Sequence, residues 1–174
     1  MRPLEFGWYL PTHGDTTAYG LMDAQIPGSP ELCDWVVQAA EAKAQRLGVT
    51  VSVEAKDDVR VRGDAFLLHR AIANLLDNAL EFSPQDGSVE ISAVAEGKSV
   101  KVAVRDHGPG IPDYAMDRVF EKFYSLARPG TNRKGTGLGL AFVREIAQLH
   151  GGRVWVGNAQ GGGSEAVVEM RRER

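Results

Sequence analysis

The chain has 174 residues, which is enough for one domain with a sizeable core and too short for two ordinary domains. Apolar residues make up 43% and charged residues 25% of the sequence, as is typical of a globular protein. The net charge of −3 at pH 7 argues against a general nucleic-acid binder, because such domains usually carry a basic surface.

The cysteine content and the lack of zinc motifs narrow the chemistry further. Cys33 is the only cysteine, which excludes an internal disulfide and fits a reducing compartment. Because it lies in an apolar helical pattern, we interpret it as a buried structural thiol. Motifs such as Cys-x-x-Cys are absent from the sequence, so a bound metal would need oxygen ligands, and Mg²⁺ with a phosphate substrate is the usual case. No apolar run approaches the roughly 20 residues that span a membrane.

Turn residues and apolar periodicity divide the chain into elements. Residues 1–28 show little periodicity and predict an irregular arm with a short strand at Phe6–Leu10, and this start without a leader pattern indicates a piece of a longer protein. Capping and terminating residues mark the helices, whereas period-two alternation marks the strands. In the first half of the chain, the predicted elements are helix Pro30–Leu47 with Ser29 as its cap, strand Val49–Glu54, turn Asp57-Asp58, short strand Val59–Val61 and helix Asp64–Phe82. They are followed by strands Ser88–Ala95 and Ser99–Asp106, short helix Asp113–Phe120, loop 124–136, helix Gly137–His150, and strands Arg153–Val156 and Glu165–Met170.

Three long helices and about five strands, mostly joined as hairpins, predict the α+β class. Each element has an apolar face that must be buried, and a two-layer α/β sandwich buries them against one another. We therefore predict a mixed, mostly antiparallel sheet of about five strands with three helices on one face. Residues 29–174 would form this domain.

The predicted helix at 64–82 carries a polar row beside its apolar stripe. Asn74, Asn78 and Phe82 are spaced four apart, so they are neighbours along one edge of the stripe. Amide oxygens at this edge could coordinate a hard cation, and the ring could stack on a base. Two solvated asparagines on an amphipathic helix are the alternative, although asparagine is unfavourable in mid-helix.

Two glycine-containing segments add candidate ligand contacts. Asp106 ends a strand just before Gly108 and Gly110, where a ligand could approach the backbone and donate an amino hydrogen bond to the carboxylate. A plain Asp-Gly turn is the alternative. The segment Gly135–Leu140 has alternating glycines at a helix start, where backbone N–H groups and the helix dipole favour phosphate. Alone this is a weak signal, and it matches neither the P-loop nor the dinucleotide-binding pattern.

The order of these segments is more specific than any one of them. Four segments, in chain order, resemble the asparagine, first glycine, phenylalanine and second glycine boxes of sensor histidine kinases. They are Asn74-Leu-Leu-Asp-Asn78-Ala, Asp106-His-Gly-Pro-Gly-Ile-Pro, Phe120-Glu-Lys-Phe-Tyr124 and Gly135-Thr-Gly-Leu-Gly-Leu140. Those kinases belong to the wider GHKL ATPases, which have the Bergerat ATP-binding fold. The resemblance covers residues 30–172, and Val119–Leu126 looks most like the CreC-type members.

The resemblance implies a pocket for ATP and Mg²⁺ with a role for each box. Asn78 would ligate Mg²⁺. Asn74 stands where gyrase-like ATPases carry a catalytic Glu, and since an amide is no general base, this fits a kinase that holds ATP without hydrolysing it. Phe82 would flank the adenine and Asp106 would bind its exocyclic amine, beneath a mobile lid over 120–136. The other implied nucleotide contacts are Gly108, Gly110, Ile111, Phe120, Lys134, Gly135, Thr136, Gly137, Leu138, Gly139 and Leu140.

Two positions depart from the usual pattern of the family. Many relatives carry a basic residue three after the second asparagine, where this chain has Glu81, and many carry Arg after the Phe-Tyr pair, where it has Ser125. Both changes remove positive charge near the phosphates. The basic residues that could replace it, or could simply be solvated, are Lys122, Arg128, Arg133 and Lys134.

None of the histidines fits the phosphoacceptor of such a kinase, which lies in a His-Glu/Asp-x-x-x-Pro motif on a helix-bundle domain. We interpret each of them as structural or solvated; they are His13, His69, His107 and His150. The resemblance therefore implies the catalytic ATP-binding domain of a protein-histidine kinase, with the phosphoacceptor on a separate dimerisation domain.

The implied partners are ATP or ADP, the dimerisation domain of the parent kinase and, indirectly, a response regulator. The isolated domain would be monomeric, bind no nucleic acid, and lie on the cytoplasmic side of a membrane-anchored parent. A GHKL serine kinase of the anti-sigma type and a non-catalytic nucleotide-sensing module are the alternatives. The phenylalanine box and the long lid favour the histidine kinase, whereas Glu81 and Ser125 make the sensing module credible.

Overall fold

The structure, a computed structural model, describes residues 29–55, 59–129 and 134–172. Its elements in chain order are α1 (Ser29–Leu47), β1 (Thr50–Ala55), α2 (Ala65–Phe82), β2 (Ser88–Glu96), β3 (Ser99–Asp106), α3 (Asp113–Met116), α4 (Gly139–Leu149), β4 (Arg153–Asn158) and β5 (Ser164–Arg171). The predicted arm at 1–28 with its strand Phe6–Leu10, and the predicted turn at Asp57-Asp58, lie outside the described residues.

The five strands form one sheet in the order β1-β2-β3-β5-β4. β1 pairs with β2 in parallel, whereas the three other neighbouring pairs are antiparallel. The parallel pair follows from the connection between its strands, because a crossover that contains a helix such as α2 joins strands of the same direction. The predicted mixed, mostly antiparallel sheet of the α+β class is confirmed.

One face of the sheet packs against the helices. The alternating valines of β3, Val100, Val102 and Val104, are at most 2% exposed, and β2 presents Val89 and Ile91 in the same core. The helix α2 contributes the opposing stripe and contacts both α1 and α4, so the three long helices share one core with this face. The buried residues of α2 are Leu68, Ala71, Ile72, Leu75, Leu76, Ala79 and Leu80.

Both ends of α2 are held by hydrogen bonds that its sequence encodes. The Asp64 side chain accepts a hydrogen bond from the Leu67 N–H at 3.0 Å, as an N-cap does. At the other end, Ser83 follows Phe82 in an extended conformation and its hydroxyl donates to the Ala79 carbonyl. The helix that carries the asparagine row is therefore capped at both ends.

A histidine ties the start of α2 to the end of α4. The Asp64 N–H donates to Nε2 of His150 at 3.0 Å, so the ring proton lies on Nδ1, which is 2.8 Å from the Ile146 carbonyl oxygen. A Cβ atom at Gly63 would lie 2.3 Å from the ring, so glycine is required there. The structural role predicted for His150 is confirmed.

Four predictions about the elements are wrong by two residues or more, and the first is the end of β4, which was predicted at Val156 and lies at Asn158. The last helix begins at Gly139 rather than Gly137, because Gly137 takes a φ of +68°, which no helix residue can adopt. The short helix α3 ends at Met116 rather than Phe120, since the next residues form tight turns with i→i+3 hydrogen bonds such as Arg118 N–H to the Ala115 carbonyl. The predicted strand Val59–Val61 is a single β-bridge between Val61 and Arg172. Cys33 lies in α1, and its burial stays a prediction.

Candidate functional site

A cavity of about 300 Å³ opens between α2, the turn after β3 and the segment that precedes α4. This volume is at the lower end of the range for small-molecule sites. Most residues of the predicted site line it: Asn74, Asn78, Phe82, Asp106, Gly110, Ile111, Gly135, Thr136, Gly137, Gly139 and Leu140. Four predicted contacts, Gly108, Phe120, Lys134 and Leu138, are not among the lining residues.

The two asparagines of α2 face the first turn of α4. A Cβ atom at Gly139 would lie 3.8 Å from the side-chain nitrogen of Asn78 and 3.9 Å from the side-chain oxygen of Asn74. The N-cap residue of α4, Leu138, forms no side-chain capping bond, and N–H groups in the first turn of a helix have no partner within the helix. Two amides and an uncapped helix start therefore border the same end of the cavity.

Asp106 forms the opposite end of the cavity and is only 4% exposed. Its Oδ1 accepts hydrogen bonds from the N–H groups of Gly108 at 2.8 Å and Ser164 at 3.2 Å. Its Oδ2 accepts one from the Ser164 hydroxyl. Because a carboxylate has about four acceptor sites, these three bonds orient it and leave capacity for one more donor from the cavity.

The turn after Asp106 is held by an asparagine from β4. Asn158 accepts a hydrogen bond from the Ile111 N–H at 2.7 Å and donates one to the Ile111 carbonyl at 2.9 Å. Gly110 takes a φ of +77°, and a Cβ atom there would lie 2.8 Å from the Asn158 oxygen. Gly108 lies against the Phe82 carbonyl, at 2.3 Å from an ideal Cβ position, so it is required by packing rather than by the cavity.

The two arms of the predicted lid lie antiparallel. The Phe123 N–H donates to the Gly137 carbonyl at 2.9 Å, and the Gly135 N–H donates to the Ser125 hydroxyl at 3.0 Å. Ala127 and Lys134 form an antiparallel bridge further out. The described parts of the lid are therefore joined to each other at three levels. Residues 130–133, including the candidate Arg133, lie outside the described residues.

Charged side chains gather at the mouth of the cavity. Glu81 pairs with Lys43 of α1 at 3.0 Å and with Arg128 of the lid at 2.7 Å, and Lys43 also pairs with Asp77 at 2.6 Å. Of the candidate basic residues in the described part of the lid, Arg128 lines the cavity. The other two, Lys122 and Lys134, are exposed, and Lys122 faces Glu145 at 3.8 Å.

The sequence patterns did not identify two residues of the site, Ser164 and Asn158. Both act on the turn after β3 from strands that are distant in the sequence. The serine had a faint signal, since it follows the glycine run Gly161–Gly163 directly. Asn158 had none, because its bonds to Ile111 depend only on the pairing of β4 with β5 and of β5 with β3.

A protein-family model described as "Histidine kinase-, DNA gyrase B-, and HSP90-like ATPase" matches residues 63–174, which is more than half of the chain. This chain belongs to that ATPase family. Among its members, the sensor protein CreC of Escherichia coli K12 is 44% identical over 136 residues, which cover 78% of this chain and 27% of CreC. The resemblance to sensor histidine kinases, including the CreC-type members, is confirmed.

Solved structures of family members agree with the fold. The catalytic domain of histidine kinase ThkA in a nucleotide-free form has a TM-score of 0.76 at 27% identity and covers 86% of this chain and 95% of its own. Full-length ShkA in complex with AMPPNP has a TM-score of 0.75 at 28% identity, over 87% of this chain and 32% of its own. ThkA in complex with the response regulator TrrA has a TM-score of 0.72 at 25% identity, over 87% of this chain and 42% of its own.

The chain spans well under half the length of the curated relatives that it matches. Within the described ranges, no helix has both the length and the apolar composition of a membrane span. The same ranges contain no group of three or more His, Cys, Asp and Glu side chains suited to holding a metal ion. The amide and carboxylate oxygens in the cavity wall belong to Asn74, Asn78, Asp77, Glu81 and Asp106.

Proposed function

We propose that this chain binds ATP with Mg²⁺ in the cavity and supplies the γ-phosphoryl group to a histidine on a separate dimerisation domain. It would act as the catalytic domain, residues 29–174, of a sensor histidine kinase that relays phosphate to a response regulator. The observation that carries the proposal is the pair Asn74 and Asn78 facing an uncapped helix start, in the same cavity as the buried carboxylate of Asp106.

The end of the cavity at Asp106 suits the adenine. A buried carboxylate that is already oriented by three hydrogen bonds can accept one from an exocyclic amine without further ordering. A guanine base carries a carbonyl oxygen at that position, and two acceptors would oppose each other. Phe82 adds an aromatic surface to the same cavity wall. These features support selection of adenine over guanine.

The opposite end suits the phosphates. The N–H groups at the start of α4 and its helix dipole favour anions, and Gly139 leaves space in front of both asparagines. Mg²⁺ fits this end, because it usually takes one or two protein oxygens together with phosphate oxygens and the Asn78 amide offers such a ligand. Bound with the nucleotide, the ion would offset phosphate charge during transfer. Asn74 cannot act as a general base, which supports retention of ATP.

The phosphoacceptor would come from another domain. Two of the described histidines are engaged elsewhere: His150 holds the start of α2, and Nδ1 of His107 lies 3.2 Å from the Ser88 carbonyl. The dimerisation domain and, through it, a response regulator are therefore the proposed partners, with this domain monomeric by itself and on the cytoplasmic side of a membrane-anchored parent. The solved complex of the similar kinase ThkA with TrrA supports the second partner.

Calorimetric titration with ATP and ADP, with and without Mg²⁺, tests the binding. We expect Mg²⁺-dependent binding of both nucleotides, little hydrolysis, and no phosphorylation of the isolated chain. Adding the dimerisation domain of the parent kinase with ATP should produce acid-labile phosphohistidine on that domain. The proposal would be abandoned if neither nucleotide bound, even weakly.

A non-catalytic nucleotide-sensing module is a second candidate, because Glu81 neutralises cations at the end assigned to the phosphates. The same phosphotransfer assay separates the two functions. Nucleotide binding without phosphohistidine on the parent's dimerisation domain would favour the sensing module, and acid-stable phosphoserine on a partner protein would favour a GHKL serine kinase.

A further inference from the structure

Glu81 lies between two cations at the mouth of the cavity. One of its carboxylate oxygens is 3.0 Å from Nζ of Lys43, and the other is 2.7 Å from a guanidinium nitrogen of Arg128. The side chains of Glu81 and Arg128 are 23% and 32% exposed, so the pair is half-buried rather than fully solvated. Glu81 thus joins the helix α2 to the lid across the cavity mouth.

Arg128 also lies close to the glycine segment. Its guanidinium lies 3.6 Å from the position of a Cβ atom at Gly135, whose N–H is already bound by the Ser125 hydroxyl. Both Arg128 and Gly135 line the cavity. A phosphate bound beside this segment would therefore lie within reach of a guanidinium that Glu81 already holds.

We propose that Glu81 competes with the terminal phosphate of ATP for Arg128 and so sets the preference of the site between ATP and ADP. This inference rests on the proposed function. A half-exposed ion pair is weak, whereas a guanidinium binds phosphate through paired charge-assisted hydrogen bonds, so ATP can displace the carboxylate. ADP lacks the terminal phosphate and leaves the Glu81–Arg128 pair in place. Glu81 is therefore a specificity-determining residue that lowers affinity for ATP selectively.

The neighbouring carboxylate, Asp77, provides a matched control. It lies one turn earlier on α2, lines the same cavity and pairs with Lys43 at 2.6 Å, but the structure gives it no contact with Arg128. Because Asp77 keeps Lys43 paired when the Glu81 carboxylate is removed, Glu81→Gln retains an ion pair between α1 and α2. Each substitution to the amide removes one negative charge near the phosphates with little change in shape.

The experiment measures the dissociation constants of Mg²⁺-ATP and Mg²⁺-ADP for five chains: wild type, Glu81→Gln, Asp77→Asn, Arg128→Gln, and the double variant of Glu81→Gln with Arg128→Gln. We expect Glu81→Gln to tighten ATP binding about two- to fivefold more than ADP binding, which is the range of a partly exposed ion pair. Asp77→Asn should change both nucleotides by the same factor. Arg128→Gln should weaken ATP more than ADP and remove the ATP-selective effect of Glu81→Gln.

Two results would overturn the inference while the proposed function stands. One is equal tightening of ATP and ADP by Glu81→Gln, as by Asp77→Asn, which would reduce Glu81 to a general charge effect. The other is persistence of the ATP-selective effect in the double variant, which would exclude Arg128 as its target. A wild-type chain that bound neither nucleotide would overturn the proposed function as well. Circular dichroism of each variant confirms that its fold is retained.

Discussion

The two ends of the cavity are built in different ways. The end at Asp106 belongs to the sheet, where a carboxylate that is 4% exposed is held by hydrogen bonds from Gly108 and Ser164. The end at the lid depends on partly exposed contacts, such as the pair between Glu81 and Arg128. A buried group held by three hydrogen bonds cannot move without losing several interactions, whereas a partly exposed ion pair can be exchanged for a ligand. Under the proposed function, base recognition would be preorganised and phosphate recognition would be adjustable.

Removing the carboxylate of Asp106 should have the largest effect. In Asp106→Ala, the partly buried N–H groups of Gly108 and Ser164 would lose their acceptor, and the cost for each would be below the roughly 1–3 kcal/mol of a fully buried group. We expect a clear loss of unfolding free energy in urea, loss of tight ATP binding, and loss of discrimination against GTP. The milder Ser164→Ala removes one donor to the carboxylate and should retain the preference for ATP. Unchanged discrimination in Asp106→Ala would contradict the rigid adenine end.

Asn78→Ala should have the second-largest effect, confined to the end of the cavity that we assign to the phosphates. Loss of the proposed Mg²⁺ ligand should weaken nucleotide binding in Mg²⁺ about 10- to 100-fold, as is typical when residues of a metal site are altered. Binding in EDTA should change little, and the fold should persist. Asn158→Ala is the matched control, because it removes an amide from the Asp106 end of the cavity. It should lower the nucleotide affinity in Mg²⁺ and the affinity in EDTA by a similar factor. Wild-type Mg²⁺ dependence in Asn78→Ala would mean that the metal site lies elsewhere.

Gly137→Ala should loosen the base of the lid. A Cβ atom at Gly137 would lie 2.5 Å from the Phe123 carbonyl carbon, and its φ of +68° disfavours any L residue, so we expect a cost of about 1–2 kcal/mol. Hydrogen exchange of the Phe123 amide should accelerate while that of β3 stays slow. Gly135→Ala is the control, since its nearest contact of 3.5 Å is ordinary. Equal exchange in the two variants would argue against a separately stabilised lid.

The smallest effect should come from replacing His69, which lies on α2, the helix that borders both ends of the cavity. Burial, and next the charge of Arg70, hold its pKa below the ordinary value of 6.5. The neutral ring therefore favours the folded state above pH 6.5, and this contribution is lost as the pH falls below 6.5 through the folded pKa. Urea unfolding at pH 7.5 and 5.5 should show a slightly smaller loss of stability in His69→Gln than in wild type. An identical pH dependence would rule out this role.

Most helices and strands of the fold were predicted from local patterns in the sequence. The bounds of α1, α2, β2 and β3 were predicted to within one residue, because periodicity and capping residues such as Asp64 act over a few positions. The errors arose where a tertiary contact decided the backbone. Gly137 was predicted to begin a helix, but it lies in a left-handed conformation against Phe123 in the other arm of the lid. Helix propensity depends on the residue type and its near neighbours in the sequence, so it does not predict such a contact.

The sequence by itself determined the class of the protein, since four boxes in a fixed order identified the ATPase family, and it predicted that Asn74, Asn78 and Phe82 of α2 line the cavity. Only the tertiary structure decided how the two ends of the cavity are held. Ser164 and Asn158 reach the turn after Asp106 from β5 and β4, and Glu81 meets an arginine of the lid. Periodicity reports the neighbours of a residue along one element, whereas these bonds join elements that only the folded sheet and its lid bring together.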